Sequence, residues 1–447
     1  MPMTAPTLLP PAAPAVHQTT GGNYFVANYP PFSFWRPEYV PAALAALDRA
    51  PAAGATLGLY VHIPFCRKRC HFCYFKVYTD KNAAEIRRYL SAMIRELEMV
   101  AARPCIGGRR PRFIYFGGGT PSYLSVEQLR SLVEAMKRLL PWDQAEEVTF
   151  ECEPGTLQES KLAALRELGV TRLSLGVEHF DDDVLKANNR AHGSDEIRRA
   201  YDFARSVGFP QINIDLIAGM LGETDEKWRA CVEKTLALGP DSVTIYQMEI
   251  PFNTTIFHEM RARGERVAPV ADWRTKRAWV GQAFAELERA GYTVGSAYTA
   301  VRSPDRIRFV YRDALWSGAD LLGIGVASFS HLGGTHYQNE KDMGPYLERV
   351  EAGALPVHRA LVMTDEERLI RQLVLQLKLG RVPLGPLREK FGVDVSARFA
   401  EPLARLRDAG HLSLEDETLI LTREALLQVD DLLHEFFLPE HRAGREG

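Results

Sequence analysis

The chain of 447 residues is 46% hydrophobic and 25% charged, with a formal net charge of −3. Such a length predicts two or three domains with a large core. So small a net charge, with the basic residues scattered, gives no electrostatic footprint for nucleic acid or an anionic membrane, and no apolar run reaches the length of a membrane span. Three of the six cysteines crowd into residues 66–73 and the others are dispersed, too few for a disulfide scaffold. With no export signal, the pattern reads as metal binding in a reducing cytoplasm, and the protein is expected to be cytoplasmic and monomeric.

Residues 1–21, proline-bearing and without Lys or Arg, read as a disordered tail. An aromatic segment, 22–57, is expected to lie over the next domain, with Tyr24, Tyr29, Phe34 and Trp35 as candidates for stacking on a flat substrate. From residue 58, short β-branched and aromatic runs alternate with longer amphipathic ones. Strands are predicted at 58–65, 112–118, 147–154, 172–179, 211–219 and 242–250, with helices between them. Leu129, Leu132, Val133 and Met136 show the three-and-four spacing of a helix with one buried face.

Near-continuous apolar strands separated by helices predict an α/β fold with a parallel sheet. Six such units, closed by a helix at 273–291, fit a partial (β/α)6 TIM-like barrel over 58–291; an open doubly wound sheet is the competing architecture. Either one puts functional residues at the C-terminal ends of strands, where Cys66, Glu151, Glu178, Asp215, Gln247 and Glu249 stand. Post-barrel strands are expected over 292–358 and a C-terminal lid domain over 359–440. In the latter, Thr364 and Glu367 form a capping box and Gly380 ends the helix. Further helices and a hairpin at 411–422 complete a winged-helix-like order that has no basic face.

The segment Cys66-Arg-Lys-Arg-Cys70-His-Phe-Cys73 has the spacing C-x3-C-x2-C. Three thiolates from one loop can hold three irons of a cubane cluster and leave the fourth iron open to a ligand. Zinc is the alternative, but a closed zinc site needs four ligands, usually in two separated pairs. A second motif, Phe116-Gly117-Gly118-Gly119-Thr120-Pro121, follows the second strand, where glycines let the backbone approach a ligand closely.

Together these motifs resemble the radical S-adenosylmethionine (SAM) superfamily. The resemblance implies a [4Fe–4S] cluster on Cys66, Cys70 and Cys73, SAM chelated to the open iron, and reductive cleavage to a 5′-deoxyadenosyl radical. It also implies an electron donor such as flavodoxin or ferredoxin. Implied SAM contacts are Phe72, Gly117, Gly118, Gly119, Thr120, Glu151, Glu178, Arg190 and Asp215.

Tyr60-Val-His62-Ile-Pro64-Phe65-Cys66, with GGGTPSYL, LSLGVEHF, NIDLIAGM and DLLGIGVASFS further on, is similar to the group containing oxygen-independent coproporphyrinogen III oxidase. That similarity implies Tyr60 near the SAM sulfonium and a second SAM against Ala327 and Phe329. Two departures bear on activity. The decarboxylase has an extra cysteine two positions after the third, where this chain has Phe75. Haem chaperones of the group carry H-N-x-x-Y-W, which aligns with Tyr311 to Trp316, so a tyrosine replaces the haem-binding histidine. A third branch, the class C methyltransferases and cyclopropanases, lacks the extra cysteine and binds two SAM molecules. The expectation is therefore methyl or methylene transfer to an sp2 carbon of an aromatic or conjugated substrate. Tyr60, Glu178, His179 and Tyr298 are its catalytic candidates; tetrapyrrole oxidation and haem binding are the alternatives.

Overall fold

The computed structural model describes residues 28–265 and 267–442; the expected tail and Tyr24 lie outside them. Six strands appear where the apolar runs predict them: β1 (Leu57–Ile63), β2 (Phe113–Gly118), β3 (Glu147–Cys152), β4 (Arg172–Glu178), β5 (Gln211–Ala218) and β6 (Ser242–Gln247). Each pairs in parallel with the next. This unbroken sequential order contains no reversal point, so the sheet is the arc of a TIM-like barrel and not a doubly wound sheet. The connecting helices start where side chains satisfy their free N–H groups. Asn82 caps Ala83–Ala101, and Ser125 with Gln128 forms a capping box on Val126–Leu139. Their apolar faces join the strands in one core that includes Leu59, Phe116, Phe150, Leu173, Ile214 and Ile245.

The region after the barrel extends the same sheet. β7 (Thr293–Val294) and β8 (Thr299–Val301) add to the β6 edge, with β8 antiparallel to β6. β9 (Asp320–Ile324) pairs in parallel with β1, and β10 (Phe329–Leu332), β11 (Thr335–Asn339) and β12 (Val357–Val362) continue outward as antiparallel strands. The whole forms one 12-stranded sheet. The wholly buried DLLGI sequence of β9 suits a strand covered on both faces.

The described part of the N-terminal segment packs on this extension, where Tyr29, Phe34 and Trp35 have protein partners and form no platform at the barrel mouth. Trp35 stacks on His336 at 4.9 Å and 11°, Phe34 meets His441 edge-on at 4.5 Å, and the Tyr29 hydroxyl bonds His441 Nδ1 at 2.7 Å. The reason is the backbone: Arg36 and Ala360 exchange hydrogen bonds of 2.9 and 3.0 Å, which tie this segment to β12.

The C-terminal unit has its own core of Leu369, Leu373, Val382, Leu387 and Leu419, around helix Asp365–Leu377 and a three-stranded sheet. Its winged-helix-like order is as expected. Gln247 Nε2 donates to Leu427 O at 2.8 Å, and the ion pairs Arg277–Asp431 and Arg423–Glu288 add to this junction with the barrel.

Glu96, buried in helix Ala83–Ala101, pins the turn after β9. It accepts from Gly325 N at 2.8 Å, Tyr346 Oη at 2.6 Å and Asn339 Nδ2 at 2.5 Å. Glu96→Gln sets a donor against these donors and is expected to cost about 1–3 kcal/mol, read from denaturant midpoints. Burial pushes the Glu96 carboxyl up from the usual 4.5 to about 7, so the native protein keeps a proton that the unfolded chain releases. Its contribution to stability is expected to fall as pH rises from about 4.5 to about 7. A slope unchanged in Glu96→Gln would overturn the assignment.

Candidate active site

The loop after β1 is held in place by backbone and by the strands around it. Tyr78 N donates to Pro64 O at 2.8 Å, Cys66 N to Tyr78 O at 3.1 Å, and His71 N to Asn188 O at 3.1 Å. Asn189 Nδ2 donates to Arg69 O at 2.8 Å. This fold presents Cys66, Cys70 and Cys73 beside the turn after β2. Cys66 Sγ accepts from Thr120 Oγ1 at 3.3 Å, and Cys70 Sγ accepts from Arg190 Nη1 at 3.2 Å. A Cβ on Gly119 would stand 3.0 Å from Cys66 Sγ, and one on Gly118, at φ +117°, would collide with the His62 ring at 2.7 Å. Glycine there is a requirement of space as well as of backbone angle.

The donor set fits a cubane cluster. A closed zinc centre needs four ligands, usually in two separated pairs, whereas this loop offers three thiols. Three thiols from one loop match a cluster with one open iron. Burial pushes the Cys66 thiol up to about 12 and Cys73 up to about 11, so thiolates here depend on positive charge; irons and the Arg190 guanidinium would supply it.

These cysteines line a cavity of about 780 Å³ at the C-terminal ends of the strands. Inward-facing residues of the strands form its wall: Tyr115, Glu151, Ser174, Asp215, Thr244 and Tyr246. Burial pushes the Glu151 carboxyl up to about 7, although Tyr115 Oη donates to it at 2.7 Å and Gly118 N at 3.1 Å. Burial likewise pushes Glu178 up to about 7, against the pull of Arg190 at 3.5 Å. Asp215, raised by burial, accepts from Ser174 Oγ at 2.8 Å and Asn213 Nδ2 at 2.9 Å. Arg190 joins the cysteine loop to the end of β4, donating to Gly176 O at 2.5 Å as well as to Cys70.

Of the residues expected at the site, Phe72, Gly118, Gly119, Thr120, Glu151, Glu178, Arg190, Asp215 and Tyr298 line this cavity with the three cysteines. Five do not. Gly117 stands behind Glu151, whose carboxylate would lie 3.1 Å from a Cβ there. Tyr60 also lies outside the lining; its hydroxyl bonds His62 Nδ1 at 3.2 Å and its ring stacks on Tyr115 at 6.0 Å. His179 is fully buried, with Nε2 3.1 Å from Glu223 and Nδ1 accepting from Asp181 N at 2.9 Å. Glu178 sits at φ +65° beside a bulge in the β4–β5 register and, like Arg172, Ser174 and Gly176 before it, lines the cavity, whereas His179 does not. Ala327, at φ +59°, bonds Glu340 O, and Phe329 stacks on Phe32 at 4.6 Å, so the expected second SAM site lies outside this cavity.

The structure adds residues that the sequence reading passed over. Tyr115 and Arg172 face inward from β2 and β4, and strand alternation would have found both. Trp273, Arg277 and Phe309 join them, as do Leu427, Gln428, Asp430 and Asp431 of the C-terminal unit. Tyr298 Oη donates to Asp430 at 2.5 Å, and Lys378 Nζ pairs with the same carboxylate at 2.7 Å. Tyr311, at the haem-motif position, packs on Tyr115 at 4.5 Å and on Phe113 at 5.5 Å, behind the cavity wall.

Residues 60–234 match the radical SAM superfamily and residues 363–427 the HemN C-terminal domain. Oxygen-independent coproporphyrinogen III oxidase of Cereibacter sphaeroides is 30% identical over 409 residues, covering 86% of this chain and 88% of its own. The heme chaperone HemW of Bacillus subtilis is 27% identical, covering 84% of this chain and 98% of its own. Among solved structures, coproporphyrinogen III oxidase (HemN) from Escherichia coli superposes with a TM-score of 0.80 at 25% identity, over 94% of this chain and 99% of its own. None of these three is described as a methyltransferase, so they lend no support to the methyl-transfer expectation.

Replacing Cys66, Cys70 or Cys73 by Ala is expected to abolish the visible absorption of a reconstituted cluster, whereas Ala at Cys105, Cys152 or Cys231 leaves it intact. Arg190→Met leaves Glu178 buried without its cation. It is expected to destabilise the fold by about 3–5 kcal/mol and to lower the iron retained per chain, measured by unfolding and iron analysis.

Proposed function

The chain belongs to the radical SAM superfamily, in the family that contains oxygen-independent coproporphyrinogen III oxidase, and on that footing we propose that it oxidises a tetrapyrrole-class substrate at the barrel mouth. Its cofactors are a [4Fe–4S] cluster and SAM. The reading is supported by one arrangement: the three thiols, the glycine turn and the carboxylates of Glu151, Glu178 and Asp215 open into a single cavity that the C-terminal unit completes. When bound, cluster and SAM together supply a one-electron route to hydrogen-atom abstraction.

The chain's own residues do the rest. Cys66, Cys70 and Cys73 would hold the cluster, and the bare backbone at Gly118 and Gly119 leaves room for SAM beside it. Glu151, Glu178 and Asp215 offer negative charge to a cationic cofactor, while Arg190 and Arg172 limit their mutual repulsion. Leu427 and Trp273 help close the cavity from water, which strengthens every charge interaction within it. A carrier of the flavodoxin or ferredoxin class would supply the electron.

A second reading, methyl or methylene transfer, is favoured by Phe75, which occupies the position of the decarboxylase's extra cysteine. Anaerobic reconstitution with reductant, methyl-labelled SAM and coproporphyrinogen III separates the readings. Deoxyadenosine with carbon dioxide supports the first. S-adenosylhomocysteine formed in step with deoxyadenosine, with label in a conjugated acceptor, supports the second. Tight haem binding without deoxyadenosine overturns both.

Because Glu151 and Glu178 titrate at about 7, ionising them as pH rises favours a cation. SAM affinity of the reconstituted protein is expected to increase from about pH 6 to about pH 8, measured by equilibrium dialysis. Glu178→Gln should flatten part of that rise.

A further inference from the structure

We propose that Arg190 sets the reduction potential of the cluster, raising it through its bond to Cys70, and that Glu178 is the counterweight that lowers it. The inference rests on the reading that Cys66, Cys70 and Cys73 hold a [4Fe–4S] cluster, and it gives the cation beside them a function. The step concerned is the gain of one electron by that cluster from a carrier of the flavodoxin or ferredoxin class. No proton moves in it and no bond breaks. The potential of such a cluster depends on the charge around it and on hydrogen bonds to its sulfurs, because both stabilise the added electron.

The sulfurs of the loop receive unequal help. Cys66 Sγ accepts from a neutral hydroxyl, Thr120 Oγ1, at 3.3 Å. Cys70 Sγ accepts from a guanidinium, Arg190 Nη1, at 3.2 Å. Among the described residues no other side-chain cation donates to a sulfur of this loop. Arg69 is turned to the carbonyls of Cys73 and Asn253. Arg67 and Lys68 are exposed, where water and salt screen them. The Arg190 side chain is only 10% exposed, and a charge held away from water acts more strongly on its neighbours than one at the surface.

The guanidinium is fixed between two partners of different charge. Nη2 donates to Gly176 O at 2.5 Å and lies 3.5 Å from Glu178 Oε1. One terminal nitrogen thus meets a cluster sulfur and the other a carboxylate, so an ionised Glu178 offsets part of the positive charge that Cys70 feels. Glu153 also bears on Arg190, but its Oε1 is already shared by His192 Nδ1 at 2.8 Å and Gly155 N at 3.0 Å. The two flanking charges therefore act in opposite directions. Removing the cation makes the cluster harder to reduce, and removing the Glu178 anion makes it easier. General damage to the fold would not divide the two substitutions by sign.

The test is a redox titration of the reconstituted full-length protein without SAM, at about pH 8, where Glu178, titrating at about 7, is largely ionised. Iron and sulfide per chain are counted first. The reduced fraction is then read from the EPR signal of the reduced cluster at potentials set with dithionite and mediator dyes. Arg190→Met is expected to cut the ratio of reduced to oxidised cluster at a fixed potential by at least about 10-fold, a fall of about 59 mV for one electron. Arg190→Lys keeps a positive charge but cannot bond Cys70 and Gly176 together as the planar fork does; it should lower the ratio by about 2- to 5-fold. It serves if the methionine variant does not hold its cluster. Glu178→Gln is expected to raise the ratio by about 2- to 10-fold, and Thr120→Val, which removes a neutral donor, to lower it by less than Arg190→Met does. An Arg190→Lys cluster at the wild-type potential, or a Glu178→Gln cluster at or below it, overturns the proposal. A wild-type protein that holds no cluster overturns it together with the reading it rests on. A wild-type cluster that yields deoxyadenosine once SAM is added, with potentials unmoved by these variants, overturns it alone.

Discussion

The site is organised around one buried guanidinium. Arg190 donates to Cys70 Sγ and to Gly176 O and lies 3.5 Å from Glu178, so a single cation joins the cluster loop, the end of β4 and a cavity carboxylate. A charge taken out of water needs compensating partners; both terminal nitrogens of Arg190 have one, and its Nε has none among the described residues. That condition shapes the backbone around it. The bulge between β4 and β5 and the left-handed turn at Glu178 free the Gly176 carbonyl and bring the carboxylate round. A Cβ on Gly176 would stand 3.4 Å from Arg190 Nη2 and 3.0 Å from Glu178 Oε1, so the strand needs glycine where the guanidinium passes.

The same logic recurs on the other side of β1. Glu96 is a buried carboxyl group that takes three donors and thereby fixes the turn after β9, just as Arg190 is a buried cation at the turn after β4. Two turns, after β9 beside β1 and after β4 beside Cys70, are thus shaped by buried ionisable groups and not by apolar packing alone. Such networks are rigid when complete and costly when one partner is missing. They position reactive groups better than flexible surface loops would.

The barrel strands and the cluster were legible in the sequence because both are local signals. Near-continuous apolar runs gave β1 to β6 to within a few residues, and the cysteine and glycine motifs sit next to each other in space because parallel pairing aligns β1 with β2. What adjacency in sequence could not tell was which of two neighbours faces inward. Glu178 and His179 are consecutive, so a strand sends only one of them to the cavity, and the alternation through Arg172, Ser174 and Gly176 points to Glu178. Tyr115 and Arg172 followed from that same alternation. Leu427, Gln428, Asp430 and Asp431 did not, since nothing within residues 427–431 announces that they cap a barrel ending far earlier in the chain. The N-terminal aromatic residues misled for the same reason: their partners, β12 and His441, are distant in sequence.

That remote cap has a kinetic meaning. Because residues 427–431 form part of the cavity wall, the bonds from Gln247 and Arg277 that dock them also seal the reaction chamber. A tight seam shields a reactive carbon centre from stray hydrogen donors and dioxygen, while a loose one speeds the exchange of spent product for fresh substrate. The strength of a few contacts between two folding units therefore sets a compromise between fidelity and turnover.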